Sequence, residues 1–274
     1  MLLSLDEGGA SFVRCPDLQD RLLYAPAGQT AHLWAKYAVL PMRRHTPGVV
    51  SGPEMLPSLI KRVERLDPNR VIELLEPLVL ERRAQRLRDV IGSRLSSVQV
   101  VFDAPHDPHN GAAVLRSCEA FGVQFVHVIE RLERFLAAPS VSKGAEKWVD
   151  LHRWRNVGDI VTSLRADGLE LVAAHPDGEL SPHDLASIPR LGIVLGNERD
   201  GIAAELAAAC TRRVRVPMRG FVESLNVSVS AAILLAQATL GRAGDLAEAD
   251  QVRLYARGLY FTVERADEIL KEFA

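Results

Sequence analysis

From residue 98 onward, short apolar runs alternate with helical patterns, and this alternation constrains the fold more than any other feature of the chain. The periodicity predicts strands at 98–102, 123–129, 169–174, 191–195 and 214–216. It predicts helices at 111–121, 157–167, 202–209 and 227–240. Such alternation is typical of a mostly parallel α/β sheet that helices cover on both faces. In sheets of this kind, ligands bind at the loops that follow the carboxyl ends of the strands.

Composition excludes several other classes of protein. The chain has 274 residues, enough for about one or two domains, and its net charge of -2 excludes a uniformly basic nucleic-acid binder but not a local basic face. Three widely separated cysteines, Cys15, Cys118 and Cys210, are incompatible with a disulfide framework and favour a cytoplasmic setting. Residues 1–10 have no basic stretch, and the longest apolar run, 227–240, is shorter than the roughly 18 residues of a membrane span. We therefore expect neither a secretory signal nor a membrane helix.

The segments before the first predicted strand differ in character. Residues 1–60 are rich in proline and glycine, which predicts an irregular N-terminal extension with at most a short helix or strand at 33–40. Residues 61–95 have helical periodicity, and Pro77 either divides this basic helical segment or begins its second helix. The arginines of the segment form either a solvated helix face or a surface that contacts RNA phosphates. The residues assigned to RNA contact under the second alternative are Arg82, Arg83, Arg86 and Arg94.

The loop that follows the first predicted strand carries several polar residues. This first loop, 106–110, places Asn110 at the start of a helix, where it is either the N-cap or a functional amide. Arg116 lies six residues further along that helix, and it either points back toward the loop or is a surface arginine. His106 and His109 have a spacing that a metal site can use, but the pattern is only weakly specific.

The second and third loops are each open to two interpretations. In the second loop, 196–201, two glycines either bracket a tight turn or allow backbone N–H groups to approach a ligand. Glu198 within it is either a functional carboxylate or an acceptor that stabilises the turn. The third loop, 217–226, ends in Ser224 and Asn226, which are either turn and N-cap residues or part of a site.

Taken together and in this order, the three loops resemble the three motifs of the SPOUT methyltransferases, in the TrmH/SpoU class of RNA 2′-O-ribose methyltransferases. The first motif is similar to residues 109–116, and the second is similar to residues 195–201. The third motif is similar to residues 216–218 followed by 224–229. The resemblance covers about residues 82–242 and leaves the N-terminal extension without a counterpart.

The resemblance implies a fold and a cofactor. It implies that residues 96–242 form the SPOUT methyltransferase domain, an α/β sheet with a C-terminal trefoil knot, and that residues 243–274 form a helical tail. The knot would hold S-adenosylmethionine, which the reaction converts to S-adenosylhomocysteine, and the enzyme would act as a homodimer that needs no metal. The cofactor-binding residues implied in this way are Ala174, Leu195, Gly196, Val216, Met218 and Leu225.

The resemblance also implies catalytic residues. Arg116 matches the family's catalytic arginine, which acts either as the base or by orienting an RNA phosphate and stabilising the forming alkoxide. The second role is physically easier, because arginine stays protonated at any working pH. The residues implied to orient this arginine, the substrate or the cofactor are Asn110, Glu198, Ser224 and Asn226.

Two features favour tRNA as the substrate. The arginine-bearing helix before the first strand and the extension after residue 242 resemble the members that methylate a guanosine ribose in the D-loop of tRNA. The acidic residues of the extension depart from this pattern, because tails that grip tRNA are usually basic. Methylation of ribosomal RNA, and a catalytically silent RNA-binding protein of the same fold, are the alternatives within the family. An unrelated α/β enzyme that acts on nucleotides or small molecules is the alternative outside it.

Overall fold

The chain divides into two units, residues 1–50 and residues 51–274. The computed structural model describes residues 3–5, 11–13, 23–25, 55–131, 135 and 138–273. In the first unit, three short strands pair antiparallel in the order β1-β2-β3. They are β1 (Leu3–Leu5), β2 (Ser11–Val13) and β3 (Leu23–Ala25). The short element predicted at 33–40 lies outside the described residues.

The second unit contains a parallel sheet of six strands, in the order β6-β5-β4-β8-β7-β9. The strands are β4 (Val98–Asp103), β5 (Phe125–Ile129), β6 (Asp150–Trp154), β7 (Glu170–Ala174), β8 (Leu191–Leu195) and β9 (Arg212–Val214). The predicted parallel sheet is therefore confirmed. Strand β6 was not predicted, and β9 begins two residues before the predicted position.

The helices of the second unit precede, connect and follow these strands. In the described residues they are α1 (Met55–Val63), α2 (Pro68–Leu75), α3 (Glu81–Gly92), α4 (Pro108–Ala120), α5 (Pro139–Ser142), α6 (Val157–Ala166), α7 (Ala204–Ala209), α8 (Val227–Ala238), α9 (Glu248–Thr262) and α10 (Ala266–Phe273). Pro77 lies in a short 3₁₀ turn, Glu76–Leu78, that separates α2 from α3. None of the described helices is long and apolar enough to cross a membrane.

Helices cover both faces of the parallel sheet. Alternate residues of β4 belong to different apolar clusters, because successive strand side chains point to opposite faces. Val100 and Phe102 pack in one cluster with residues of α4 and α8. Val101 packs in the other cluster with residues of α6 and α7. Both faces are thus buried, which explains why the central strands β4 and β8 are mainly apolar.

The helices before and after the sheet pack against each other. Helix α9 contacts α1, α2 and α3, and α10 contacts α2. The side chain of Arg88 on α3 donates to Glu76 (2.6 Å) and to the hydroxyl of Tyr255 on α9 (2.8 Å). The basic helical segment and the helical tail are therefore parts of one helical layer, although Tyr255 lies 167 positions after Arg88 in the chain.

Buried charges attach this helical layer to the sheet. Asp150, at the start of β6, accepts hydrogen bonds from Arg253 Nη2 (2.6 Å) and Arg257 Nη1 (2.8 Å), both on α9. Arg257 also donates to Glu64 (3.2 Å), and only 1% of its surface is exposed. Burial alone would raise the pKa of Asp150, but the two arginines outweigh burial and lower this pKa to about 2. The carboxylate is thus held in its charged form inside the protein.

Candidate functional site

The three loops lie at the carboxyl edge of the sheet, and the first one positions Asn110. Asp107 caps α4, because its side chain accepts a hydrogen bond from the backbone N–H of His109 (2.8 Å), and Pro108 occupies the first turn. The helix therefore begins before Asn110, and the interpretation of Asn110 as the N-cap is wrong. The side chain of Asn110 therefore does not cap the helix and is available for other contacts.

A chain of hydrogen bonds joins Asn110 to the other two loops. Its Nδ2 donates to the Glu198 carboxylate of the second loop. Its Oδ1 accepts from Asn226 Nδ2 of the third loop (3.0 Å). The partners are 88 and 116 residues away in the sequence, so only the parallel sheet brings them together. Three of the five predicted catalytic residues thus form one connected, solvent-exposed cluster.

The second loop is a compact turn that Asn197 stabilises. Asn197 exchanges backbone hydrogen bonds with Gly201 (3.1 and 3.2 Å), and its Oδ1 accepts from the N–H groups of Arg199 (2.9 Å) and Asp200 (2.8 Å). Asn197 therefore takes the turn-stabilising role that was an alternative for Glu198. It was not predicted, although an asparagine after a glycine at a strand end is a typical turn signal.

Gly196 allows the turn to close on itself. A Cβ at this position would lie 2.4 Å from the carbonyl carbon of Gly201 and 2.6 Å from the backbone nitrogen of Ile202. Both contacts are with backbone atoms, so a larger residue would force the turn to move. Gly196 thus serves the close approach of two backbone segments.

The third loop contributes Asn226, which has two roles at once. Its Oδ1 accepts from the backbone N–H of Ser228 (2.8 Å) and caps α8, while its Nδ2 contacts Asn110. Arg116 and Ser224 are both exposed, and neither side chain makes a hydrogen bond or ion pair with the described part of the chain. The structure does not bring these two residues into contact with the cluster.

The predicted cofactor residues lie mostly at the ends of neighbouring strands. Leu195 is buried at the end of β8, and Ala174 and Val216 pack against the same apolar cluster. Leu225 is half-buried, whereas Met218 on the third loop is exposed. The strand ends and Gly196 thus form an edge of apolar side chains and backbone.

The segment after β7 crosses the end of β9 at this edge. A Cβ on Gly178 would lie 2.5 Å from the carbonyl carbon of Val214. The backbone N–H of His175 donates to the carbonyl of Val214 (2.9 Å), and Leu180 exchanges backbone hydrogen bonds with Arg213 and Arg215 (3.0 Å each). The two segments are therefore in close backbone contact.

The predicted RNA-binding residues differ in exposure. Arg82, Arg83 and Arg86 are exposed on α3, and we call them the α3 arginine face. Arg94 is only 2% exposed; its Nε donates to the side chain of Gln124 and its Nη2 to a backbone carbonyl (3.2 Å). Burial lowers the pKa of Arg94. The prediction that Arg94 contacts RNA is wrong, because its guanidinium is enclosed and hydrogen-bonded within the protein.

Cysteine and metal chemistry have no evident site in the described part of the chain. Burial raises the pKa of Cys118 to about 12 and that of Cys210 to about 11, so neither thiol is activated. No group of three His, Cys, Asp or Glu side chains among the described residues could hold a metal ion.

A buried carboxylate that was not predicted ties the loops together. Asp103, at the end of β4, is 1% exposed and accepts from Arg131 Nε (3.0 Å) and Nη2 (3.1 Å) in the loop after β5. It also accepts from the backbone N–H of Ala203, just after the second loop (2.8 Å). An acidic residue at the end of an apolar strand is the signal that could have identified it.

Comparison with known proteins gives one consistent result. A model of the SpoU rRNA Methylase family matches residues 97–236. The chain is 31% identical over 188 residues to a tRNA (guanosine(18)-2′-O)-methyltransferase of Escherichia coli (strain K12), covering 65% of this chain and 82% of that protein. It is 28% identical over 203 residues to a protein of the same name in Aquifex aeolicus (strain VF5), covering 73% and 92%. The crystal structure of the A. aeolicus TrmH/SpoU tRNA modifying enzyme superimposes with a TM-score of 0.60 at 26% identity, covering 68% of this chain and 98% of that one.

Proposed function

We propose that the protein transfers a methyl group from S-adenosylmethionine to a ribose 2′-hydroxyl of tRNA. The chain belongs to the SpoU rRNA Methylase family, and this membership is the premise of the proposal. The substrate that we propose is a guanosine in the D-loop, as the relatives named for guanosine 18 indicate. The observation that carries the proposal is the hydrogen-bonded cluster of Asn110, Glu198 and Asn226, which the three loops assemble at the carboxyl edge of the sheet.

The edge formed by β7, β8 and β9 fits the cofactor. Ala174, Leu195 and Val216 offer an apolar wall, and Gly196 presents backbone without a side chain. We propose that these residues hold S-adenosylmethionine, together with Met218 and Leu225 of the third loop. When bound, the cofactor supplies a methyl group that its positively charged sulfur already activates, so we expect no metal requirement. The co-product is S-adenosylhomocysteine.

The residues of the site have to help a poor nucleophile. A ribose hydroxyl must lose its proton as it attacks the methyl carbon, and it must be held in line with the carbon–sulfur bond. We propose that Asn110 and Asn226 orient the ribose, and that Glu198 holds Asn110 in place. Ser224, next to Asn226 on the exposed third loop, contacts substrate or cofactor in this proposal.

Arg116 carries the remaining role. It is exposed on α4 and has no partner within the described residues, so its guanidinium is available to RNA. We propose that it binds the phosphate beside the target ribose and stabilises the forming alkoxide. This role needs no proton transfer from a group that stays protonated at working pH.

Three finer features belong to the same proposal. We propose that the C-terminal part of the domain forms a trefoil knot, as the resemblance to the SPOUT methyltransferases implies. The exposed apolar residues Phe221, Val222 and Val229 on the third loop and α8 support a homodimer in which a second copy covers this side of the site. A cytoplasmic location would give the enzyme access to tRNA.

The function is tested by methyl transfer from labelled S-adenosylmethionine to separated tRNA and ribosomal RNA, followed by nucleoside analysis. We expect label in tRNA as 2′-O-methylguanosine. Label only in ribosomal RNA would show that the substrate is ribosomal RNA, the alternative for which the family is named. Absence of transfer to both RNAs, with the cofactor bound, would favour the catalytically silent RNA-binding protein.

A matched pair of variants tests Arg116. We expect Arg116→Ala to abolish transfer while the affinity for S-adenosylmethionine, measured by calorimetry, is retained. Arg155→Ala, which removes another exposed arginine of the same unit, should leave the rate unchanged. An equal loss of rate and cofactor affinity in Arg116→Ala would show that Arg116 is structural.

A further inference from the structure

A cavity at the carboxyl edge of the sheet is separate from the cofactor residues. It has a volume of about 120 Å³ and lies at the ends of β4, β5 and β8. None of the six residues proposed to hold the cofactor lines it, yet the second loop lines it on one side. Because one water needs about 10–15 Å³ of such space, the cavity has room for a flat group of the size of a purine base.

Arg131 offers free hydrogen-bond donors at this cavity. Its Nε and Nη2 donate to Asp103, which anchors the guanidinium in a defined orientation. Its Nη1 makes no hydrogen bond with the described residues, and the side chain is 40% exposed. An anchored arginine with unused donors is prepared to bind a ligand that presents acceptors.

Asp200 offers a free carboxylate at the same cavity. Its side chain is 79% exposed, and the one contact within 4 Å that it makes to a basic side chain of the described residues is with His106, whose Nε2 lies 3.8 Å away. The other two carboxylates of the lining are already occupied. Asp103 accepts from Arg131, and Glu130 accepts from the backbone N–H of Phe135 (3.0 Å) and from Arg153. The cavity thus presents donors from Arg131 and acceptors from Asp200.

We propose that this cavity binds the guanine base of the target nucleotide, with Arg131 donating to O6 and N7 and Asp200 accepting from N1 and N2. Guanine presents two acceptors on one edge and donors on the next, and an arginine is the side chain that most often reads the acceptor pair. Adenine would direct its N6 amino group at the arginine, which is also a donor. The buried side chains of Phe135 and Ile129 provide apolar wall for the faces of the base.

This inference rests on the proposed function and adds the means by which the enzyme selects its base. The second loop supplies Glu198 to the cluster and Asp200 to the cavity lining, and this adjacency is the reason for assigning the base in the cavity to the nucleotide whose ribose the cluster would orient. Asp103 is then a positioning residue, because it holds both Arg131 and the end of the second loop at Ala203.

The test uses two tRNAs that differ by one exocyclic amino group. Ligated tRNA carries either guanosine or inosine at position 18, and kcat/KM for methyl transfer is measured for both with the wild type, Asp200→Ala and Asp177→Ala. Inosine lacks the N2 amino group that Asp200 would bind. Asp177 is the matched control, because it is 86% exposed and lies 3.9 Å from His175 as Asp200 lies beside His106.

We expect the wild type and Asp177→Ala to prefer guanosine by about tenfold, and Asp200→Ala to lose most of that preference. Equal rates on the two tRNAs with the wild type, or an unchanged preference in Asp200→Ala, would overturn the inference while the proposed function stands. Absence of any transfer to the guanosine tRNA would refute the proposed function itself, and the inference with it.

Discussion

Replacing Asn110 by aspartate tests whether the cluster positions the reactants. The two side chains have the same shape, so packing is preserved. The amide that donates to Glu198 is replaced by a second carboxylate, while the oxygen that accepts from Asn226 remains. The substitution therefore removes one hydrogen bond and places two negative charges side by side.

The expected effect is a loss of about 30-fold in kcat/KM. A hydrogen bond of this kind contributes about 1 kcal/mol net. Two like charges about 4 Å apart repel by about 1 kcal/mol where water surrounds them, as it does at this exposed site. The sum of about 2 kcal/mol corresponds to roughly 30-fold if the cluster is needed only in the transition state.

The assay is single-turnover methyl transfer to tRNA, with thermal unfolding as a check on stability. Asn156→Asp is the control, because Asn156 caps α6 by accepting from Gly158 N–H (2.7 Å), and aspartate caps equally well. Adding Glu198→Gln to Asn110→Asp reverses the donor and acceptor and should recover most of the lost rate. A change below about threefold in Asn110→Asp would refute the positioning role.

Three further outcomes test other parts of the structure. Gly196→Ala should weaken cofactor binding at least about tenfold in calorimetry, because its Cβ would lie 2.4 Å from the backbone of Gly201, whereas Gly92→Ala, with nothing within 4 Å, should not. Replacing the three residues of the α3 arginine face by alanine should make the plot of log binding constant for tRNA against log salt concentration less steep, by about one unit of slope for each phosphate that is no longer neutralised. An unchanged slope would show that these arginines do not contact RNA phosphates. Pairing lowers the pKa of Asp150 from 3.8 to about 2, so its stabilisation is complete above about pH 5 and should fall by about 2 kcal/mol as the pH approaches 2. Denaturant unfolding of Asp150→Asn at several pH values should lack that decline.

The central strands and the position of the site follow from the sequence because both depend on local patterns. Continuous apolar runs specify β4 and β8, and polar loops at their ends specify where ligands can bind. Strand β6 escaped prediction because it lies at the sheet edge, where His152 and Arg153 are exposed and the apolar pattern is broken. Its place is determined by pairing with β5, which is a long-range property.

The errors within the site have a common cause. Residue type alone predicts a helix cap for Asn110 and a phosphate contact for Arg94. Asp107 competes with Asn110 for the cap and prevails because Pro108 follows it in the first helical turn. Arg94 is enclosed because its guanidinium donates to the side chain of Gln124 and to the carbonyl of Val123 (3.2 Å), 30 and 29 residues further along the chain. Neither competition is visible without the neighbours that folding supplies.

Because of the ion pairs between Asp150 and α9, we expect that the enzyme cannot be shortened at the point where its sequence motifs end without loss of stability. A chain shortened after residue 242 would retain all three loops, yet it would lose Arg253 and Arg257 and leave Asp150 without its arginine partners. It would also expose the apolar surface that Leu254 and Leu259 now cover. Grafting this catalytic sheet into another protein would therefore require both flanking helical segments, because each packs against the other.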